Sequence, residues 1–278
     1  MNMKTKYIFL SVWAVLLALT MTSCDSFLNQ PPYDDFTDEE YWQNEDQART
    51  YMYGFYTSIF SGYGTGTSHG PFLMGQTLND DFASDVEQKD LTPLVVPESD
   101  GSWSFSNIRK ANYALASIDR IDATPAVKNH WRGVARFFRA CYYSNLVFRY
   151  GDVPWYDRVP KLSNNKEDMD YLYKDRDPRA FVDSCIMADF QYAMDSVREN
   201  DGPQQINRYV VAAMASRLML REGTFLKYHK IDTELAEQCL TMAKAAAEMV
   251  MKSNKYAIAP SYNALFTSED LGSNPEII

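Results

Sequence analysis

The sequence is short of histidine, with three residues in 278, and of cysteine, with four. Four cysteines are too few to staple a chain of this size as a disulfide scaffold. His69, His130 and His229 stand far apart and form no local ligand or catalytic motif. Positive charge is also in deficit: 27 Lys and Arg against 37 Asp and Glu leave a net charge of -10. Phosphate backbones are held by basic surfaces, so this balance argues against a nucleic-acid partner. Glycine and proline number only 12 each, and the hydrophobic fraction is 46%. That composition excludes collagen-like and disordered chains and leaves one large globular domain or two smaller ones. Aromatic residues are plentiful, at 14%.

Lys4 and Lys6 precede an uncharged apolar run, Ile8 to Leu19, followed by Thr20, Met21, Thr22, Ser23 and Cys24. This is the layout of a secretory signal. A membrane-spanning helix needs about 20 apolar residues, more than this run offers. Residues 1–23 therefore read as an export signal. The segment ending in Cys24 resembles the lipobox of bacterial lipoproteins, with Met21 where leucine is usual. The resemblance implies cleavage before Cys24 and lipidation of that cysteine; the alternative is an ordinary secreted protein with a chance cysteine. Several acyl chains, at about 0.8 kcal/mol per buried CH₂, would make a stable membrane anchor. Loss of residues 1–23 removes two lysines and no acid, so the charge goes from -10 to -12. Cys141, Cys185 and Cys239 remain, an odd number in apolar helical surroundings, and read as buried free thiols.

The rest of the chain reads as helices in pairs. Thr37 to Glu40 has the form of a capping box, with a helix or two over Asp38 to Phe60. Ser61 to Gly70 is a glycine-rich connection without the Lys-Ser/Thr ending of a phosphate loop. Leu78 to Asp100 reads as a long surface excursion. Ile108, Ala111, Leu115 and Ile118 give helical spacing within Trp103 to Ile121. Thr124-Pro125 starts a helix that Gly151 closes after Tyr150. Val127, Trp131, Val134, Phe138 and Cys141 share one side of it. Arg132, Arg136, Arg139 and Tyr143 share another, read as an internal salt-bridge face. Val153 to Asp175 reads as a loop, and Asp177-Pro178 as the cap of an amphipathic helix from Arg179 to Arg198. Further helices are expected from Asn207 to Glu222 and from Asp232 or Thr233 to about Lys252, then a short helix and turns. Small residues at Ala212 to Ala215 and Ala243 to Ala247 allow close packing. Successive pairs of this kind predict a mainly α fold of tetratricopeptide-like helical pairs with long irregular loops, although no strict repeat is visible.

Catalytic signatures are not evident. The His-Glu-x-x-His pattern is absent; Gly66-Thr67-Ser68-His69-Gly70 has Gly-x-Ser-x-Gly spacing, but it lies in the glycine-rich connection with no clear strand before it, as a nucleophile elbow requires. Glu39-Glu40 and the Asn79-Asp80-Asp81 cluster offer carboxylates, but no alternating-acid loop of a calcium site surrounds them. No catalytic residue, metal ligand or cofactor is expected.

Six segments, in order, resemble the SusD/RagB family of Bacteroidetes surface lipoproteins. They are Cys24 to Leu28, Tyr41-Trp42 with Ala48 and Tyr56, and Trp103 to Asn112. They continue with Gly133 to Pro154 (GVARFFRACYYSNLVFRYGDVP), Arg176 to Arg179, and Tyr262 to Ile278. The resemblance implies a SusD-like helical region over residues 24–278, lipid-anchored on the outer membrane and facing outward. It implies capture of oligosaccharides for a SusC-type TonB-dependent transporter, with no catalysis and no cofactor. A peptide-capturing member and a helical scaffold without a small ligand are the other readings. Family members run to about twice this length, so the chain reads as lacking the C-terminal half of the usual domain.

A glycan site needs exposed aromatic rings for the C–H faces of sugars and polar groups for their hydroxyls. Tyr63, Asp80, Asp81, Trp103 and Asn107 are the candidates. A core position at a helix start competes for Trp103, and a solvated loop ring for Tyr63. The acidic charge favours neutral glycans, with the arginine stripe as the one candidate basic patch.

Overall fold

The computed structural model describes residues 41–60, 101–160, 165–267, 272 and 274–278. The helices among them are α1 (Glu45–Ile59), α2 (Ser106–Ser117) with a 3-10 turn at Ile118–Arg120, and α3 (Pro125–Tyr150). They continue as α4 (Lys166–Leu172), α5 (Arg179–Ser196), α6 (Arg208–Tyr228), α7 (Thr233–Lys252) and α8 (Tyr262–Thr267). No strand occurs among the described residues; an isolated antiparallel bridge joins Val153 and Asp177.

Local chemistry sets most helix ends. Thr124 Oγ1 accepts from the Val127 N–H at 3.4 Å, Pro125 occupies the first turn, and Gly151 closes α3 at φ +72°, a conformation that glycine adopts freely. Asn207 caps α6 and Asp232 caps α7, as the sequence predicts. The capping box found on α1 is Asn44 with Gln47; the one expected at Thr37 to Glu40 lies outside the described residues.

Two expectations change. The stretch Val153 to Asp175, read as loop, contains α4, whose seven residues are too few to set a periodic signal. Asp177 does not cap α5. Its carboxylate accepts from the Trp155 N–H at 2.7 Å and pairs with Lys174, while Asp152 Oδ1 accepts from the Arg179 N–H at 2.8 Å. The Val153–Asp177 bridge brings the end of α3 against the start of α5, so each aspartate serves the other segment.

Helix α3 packs against α1, α2 and α5; α5 also meets α6, and α6 pairs along its length with α7. A Cβ added at Gly223 would stand 2.8 Å from Leu240 Cγ and 3.0 Å from the Ala236 carbonyl oxygen, so the α6–α7 approach needs a residue without one. Around α3 the core is aromatic. Phe55 of α1 stacks on Phe138 at 5.0 Å, and Phe137 meets Phe190 of α5 at 6.3 Å. Each such ring contributes about 1.5–3 kcal/mol by leaving water. Cys141 and Cys239 are buried free thiols, and burial pushes the Cys239 thiol up to about 12. Cys185 is only half-buried, because it falls beside the buried stripe of α5 rather than on it.

The arginine stripe turns inward to carboxylates. Arg132 pairs with Asp119, and Arg136 lies 3.7 Å from Asp189 and over the Tyr192 ring. Arg139, buried, donates from Nε and Nη2 to the two Asp189 oxygens at 2.7 and 2.8 Å, and from Nη1 to Asn112 Oδ1 at 2.7 Å. A second network joins α1 to the segment after α5: Arg198 donates to Glu45 and Asp201, at 2.6 and 2.7 Å, and Arg49 also pairs with Asp201. His130 beneath it accepts the Arg198 N–H on Nδ1 at 3.2 Å. Burial lowers its pKa from 6.5 to about 4. In a third network, Glu222 pairs with both Arg179 and Arg221. The neighbouring Asp183 is buried with no hydrogen bond on either oxygen, and burial, aided by the Glu222 charge, raises its pKa from 3.8 to about 7.

Arg139→Leu is expected to cost about 3–5 kcal/mol in urea unfolding, because buried Asp189 loses its two-pronged partner and keeps only Arg136 at 3.7 Å. Arg139→Leu with Asp189→Leu is expected to cost less than the single change, and an equal or larger loss contradicts this. The two shifted groups act with opposite sign over overlapping pH windows. His130 binds its proton more tightly when unfolded, so stability falls as pH drops from 6.5 towards 4. Asp183 binds its proton more tightly when folded, so stability falls as pH rises from 3.8 through about 7. Asp183→Asn, a neutral isostere, should therefore gain stability over the parent between about pH 5 and about pH 8. Parallel melting curves across that range would refute the assignment.

Candidate functional site

Residues 102–106 read Ser-Trp-Ser-Phe-Ser and lead into α2. The Ser104 N–H donates to the Ser102 carbonyl at 2.9 Å, so the backbone turns at Trp103 before entering α2. Trp103 is 38% exposed. Its ring is met edge-on by Phe105 at 5.3 Å and Tyr150 at 4.9 Å, with the Arg176 guanidinium 4.7 Å from its centre. Trp103 thus stands at the surface, held from several sides, and not in the core.

Asn107, half-buried on α2, lines a 500 Å³ cavity beside Trp103. Ser102, Ser104, Ser106, Tyr142, Asn145, Phe148, Arg149 and Tyr150 also line it. Arg149 donates to Ser102, and the Ser104 and Ser106 hydroxyls are 3.1 Å apart. Hydroxyl, amide, guanidinium and phenol groups thus surround one opening, with Trp103 joined to it through Tyr150. Burial raises the Tyr142 pKa, so its phenol keeps its proton.

Two more cavities adjoin the first. One of 330 Å³ lies between α2 and the 156–160 segment, with Phe105, Arg109, Tyr156, Arg158 and Leu172 in its walls. The other, of 490 Å³, lies between α3 and α6 and shares Asn145 and Phe148 with the first. Asn107 lines the first cavity, while Trp103 stands outside its lining and meets it through Tyr150. Tyr63, Asp80, Asp81 and the lipidation candidate Cys24 lie outside the described residues. Sequence reasoning missed the three serines, Asn145, Arg149 and Tyr150. The alternation of serine with aromatic residues before α2 was the available signal.

Among the described residues, no group of three or more His, Cys, Asp and Glu side chains is placed to hold a metal ion. No described helix is long and apolar enough to cross a membrane.

The fold and cleft define a class: a mainly helical protein of tetratricopeptide-like pairs, with a polar and aromatic opening at one end of its longest described helix. No family model matches the chain. A SusD-like protein of Formosa agariphila is 24% identical over 199 residues, which is 64% of this chain and 38% of that protein. A solved SusD-like protein of Bacteroides fragilis covers 90% of this chain at TM-score 0.63 and 18% identity, over 47% of its own length. A laminarin-binding SusD-like protein covers 84% of this chain at TM-score 0.57 and 15% identity, over 50% of its own length. The chain thus spans about half the length of these solved structures and less of the Formosa protein. At such identities the likeness to the solved structures is one of fold. The chain is SusD-like, in fold and in the stretch of sequence it shares with the Formosa protein.

Proposed function

We propose that this chain captures oligosaccharides at the outer face of the outer membrane, anchored through Cys24 after loss of residues 1–23. It passes them to a SusC-type TonB-dependent transporter. The observation that carries the reading is the exposed ring of Trp103 beside a cavity walled by hydroxyl, amide and guanidinium groups. A ring of this kind packs against the C–H face of a sugar, and the surrounding donors and acceptors replace water on its hydroxyls. The SusD-like fold and the relative described as laminarin-binding support a glycan over other ligands. Asn107 belongs to the same site, and Tyr63, Asp80 and Asp81 are its further candidates. The role is binding and delivery, with no bond made or broken in the ligand.

Native gels cast with a panel of neutral polysaccharides, laminarin among them, test the reading. The parent chain should be retarded by at least one of them. Trp103→Ala should weaken that retardation about fivefold, in line with roughly 1 kcal/mol for a lost ring contact. A parent chain retarded by none of the panel would sink the proposal. Cys24→Ala is expected to move the protein from the membrane to the soluble fraction, and unchanged fractionation would count against the anchor.

A further inference from the structure

The acidic balance of the chain favours uncharged ligands, and the arginine stripe of α3 was the one basic patch the sequence offered. That stripe is taken up by Asp119 and Asp189. Positive charge is instead gathered in the cavity between α3 and α6. Arg217 and Arg221, one helical turn apart on α6, both line it, with Asn145 and Phe148 from α3. Among the described residues, no carboxylate lines this cavity, nor the one that adjoins it, where Arg149 stands.

The two arginines differ in state. Arg221 is fixed: Nη2 donates to the Ser144 carbonyl and hydroxyl, both at 2.7 Å, and Nε donates to Glu222 at 3.0 Å. Its guanidinium lies 4.4 Å from the centre of the Phe148 ring, and its Nη1 makes no hydrogen bond. Glu222 is shared with Arg179, which also lies 3.6 Å from the Asp183 carboxylate. Arg217 is exposed and has no ion pair or hydrogen bond. Asn145, also exposed, has none either. Phe148 is 63% exposed despite its size. A fixed guanidinium, a free one, a free amide and an open ring surround one cavity, with no acid among its described lining residues.

We propose that this cavity is an oxyanion subsite, in which Arg217 and Nη1 of Arg221 take the carboxylate or sulfate ester of an acidic saccharide while Phe148 meets the sugar's apolar face. The guanidinium fork matches both oxyanions, and a single charge-assisted contact of this kind changes affinity about tenfold. The subsite rests on the glycan-capture reading and specifies its ligand, because Asn145 and Phe148 make it continuous with the cavity beside Trp103.

Calorimetry on the whole chain tests it with four probes. They are a galacturonate trimer, its fully methyl-esterified and so uncharged form, a sulfated galactose oligosaccharide, and a neutral laminarin oligosaccharide. The acidic trimer should bind about tenfold tighter than its ester, and added salt should narrow the gap. Arg217→Ala, on an exposed side chain, should remove the gap, and Arg217→Lys should restore part of it. Dependence on Arg217 with either acidic probe supports the subsite, and the tighter of the two names the oxyanion. Equal binding of trimer and ester, or a gap that survives Arg217→Ala, overturns it. Laminarin binding without any acidic preference overturns the subsite and leaves the capture reading standing; no binding of any of the four overturns both.

Discussion

Arg139 carries a full charge into the interior of α3, and a buried guanidinium is tolerated only where its donors meet acceptors. Nε and Nη2 meet the two oxygens of Asp189 on α5, and Nη1 meets Asn112 on α2. Asn112 then donates to the Tyr156 carbonyl at 2.8 Å, and the Tyr156 N–H donates to the Tyr143 hydroxyl at 2.6 Å, back on α3. Three helices and the segment after α3 are thereby held in one register. Apolar packing would tolerate a helix sliding by a fraction of a turn; a two-pronged ion pair does not. The mutual spacing of α2 and α3, which frames the cavity beside Trp103, depends on this one side chain.

The segment from Gly151 to Tyr156 extends that constraint to the next helix. Gly151 turns the chain at positive φ, Asp152 caps α5, and Asp177 returns to the Trp155 N–H. The Trp155 ring lies 4.2 Å from that of Tyr143 and 5.1 Å from the Arg139 guanidinium. A stretch without regular structure is thus tied down by side chains of the helices on both sides. That explains how a loop can hold Tyr156 and Arg158 as fixed walls of a cavity.

What could be read from the sequence was whatever chemistry is local. Thr124 with Pro125, Gly151, Asn207 and Asp232 set helix ends through groups within a few residues, and they fell where expected. The inward turn of the arginine stripe was also legible, because an acidic chain supplies the partners. The cap at Arg179 was not, since it is delivered by Asp152, 27 positions away. Nor was the buried stripe of α5 fully visible, because it includes Arg179, Asp183 and Asp189, which a hydrophobic pattern counts as surface. Of the site, Trp103 and Asn107 could be nominated by residue type. Asn145 and Arg149 could not, because only packing decides which polar residues near a helix end line a cleft.

The same packing separates the arginines into two populations. On α3, positions 132, 136 and 139 face helices that bring Asp119 and Asp189 to them. Further along, α5 lies against both α3 and α6, and those two helices touch each other only sparsely. Arg221 crosses the resulting gap to Ser144 and pairs with Glu222, which it shares with Arg179. Arg217, one turn away, meets no carboxylate among the described residues. A net charge of -10 is therefore a poor guide to the potential inside any one cavity. Screening over about 10 Å at ordinary ionic strength uncouples a cleft from distant surface acids. The sign at the α3–α6 opening is set by which carboxylates the helical scaffold has already used.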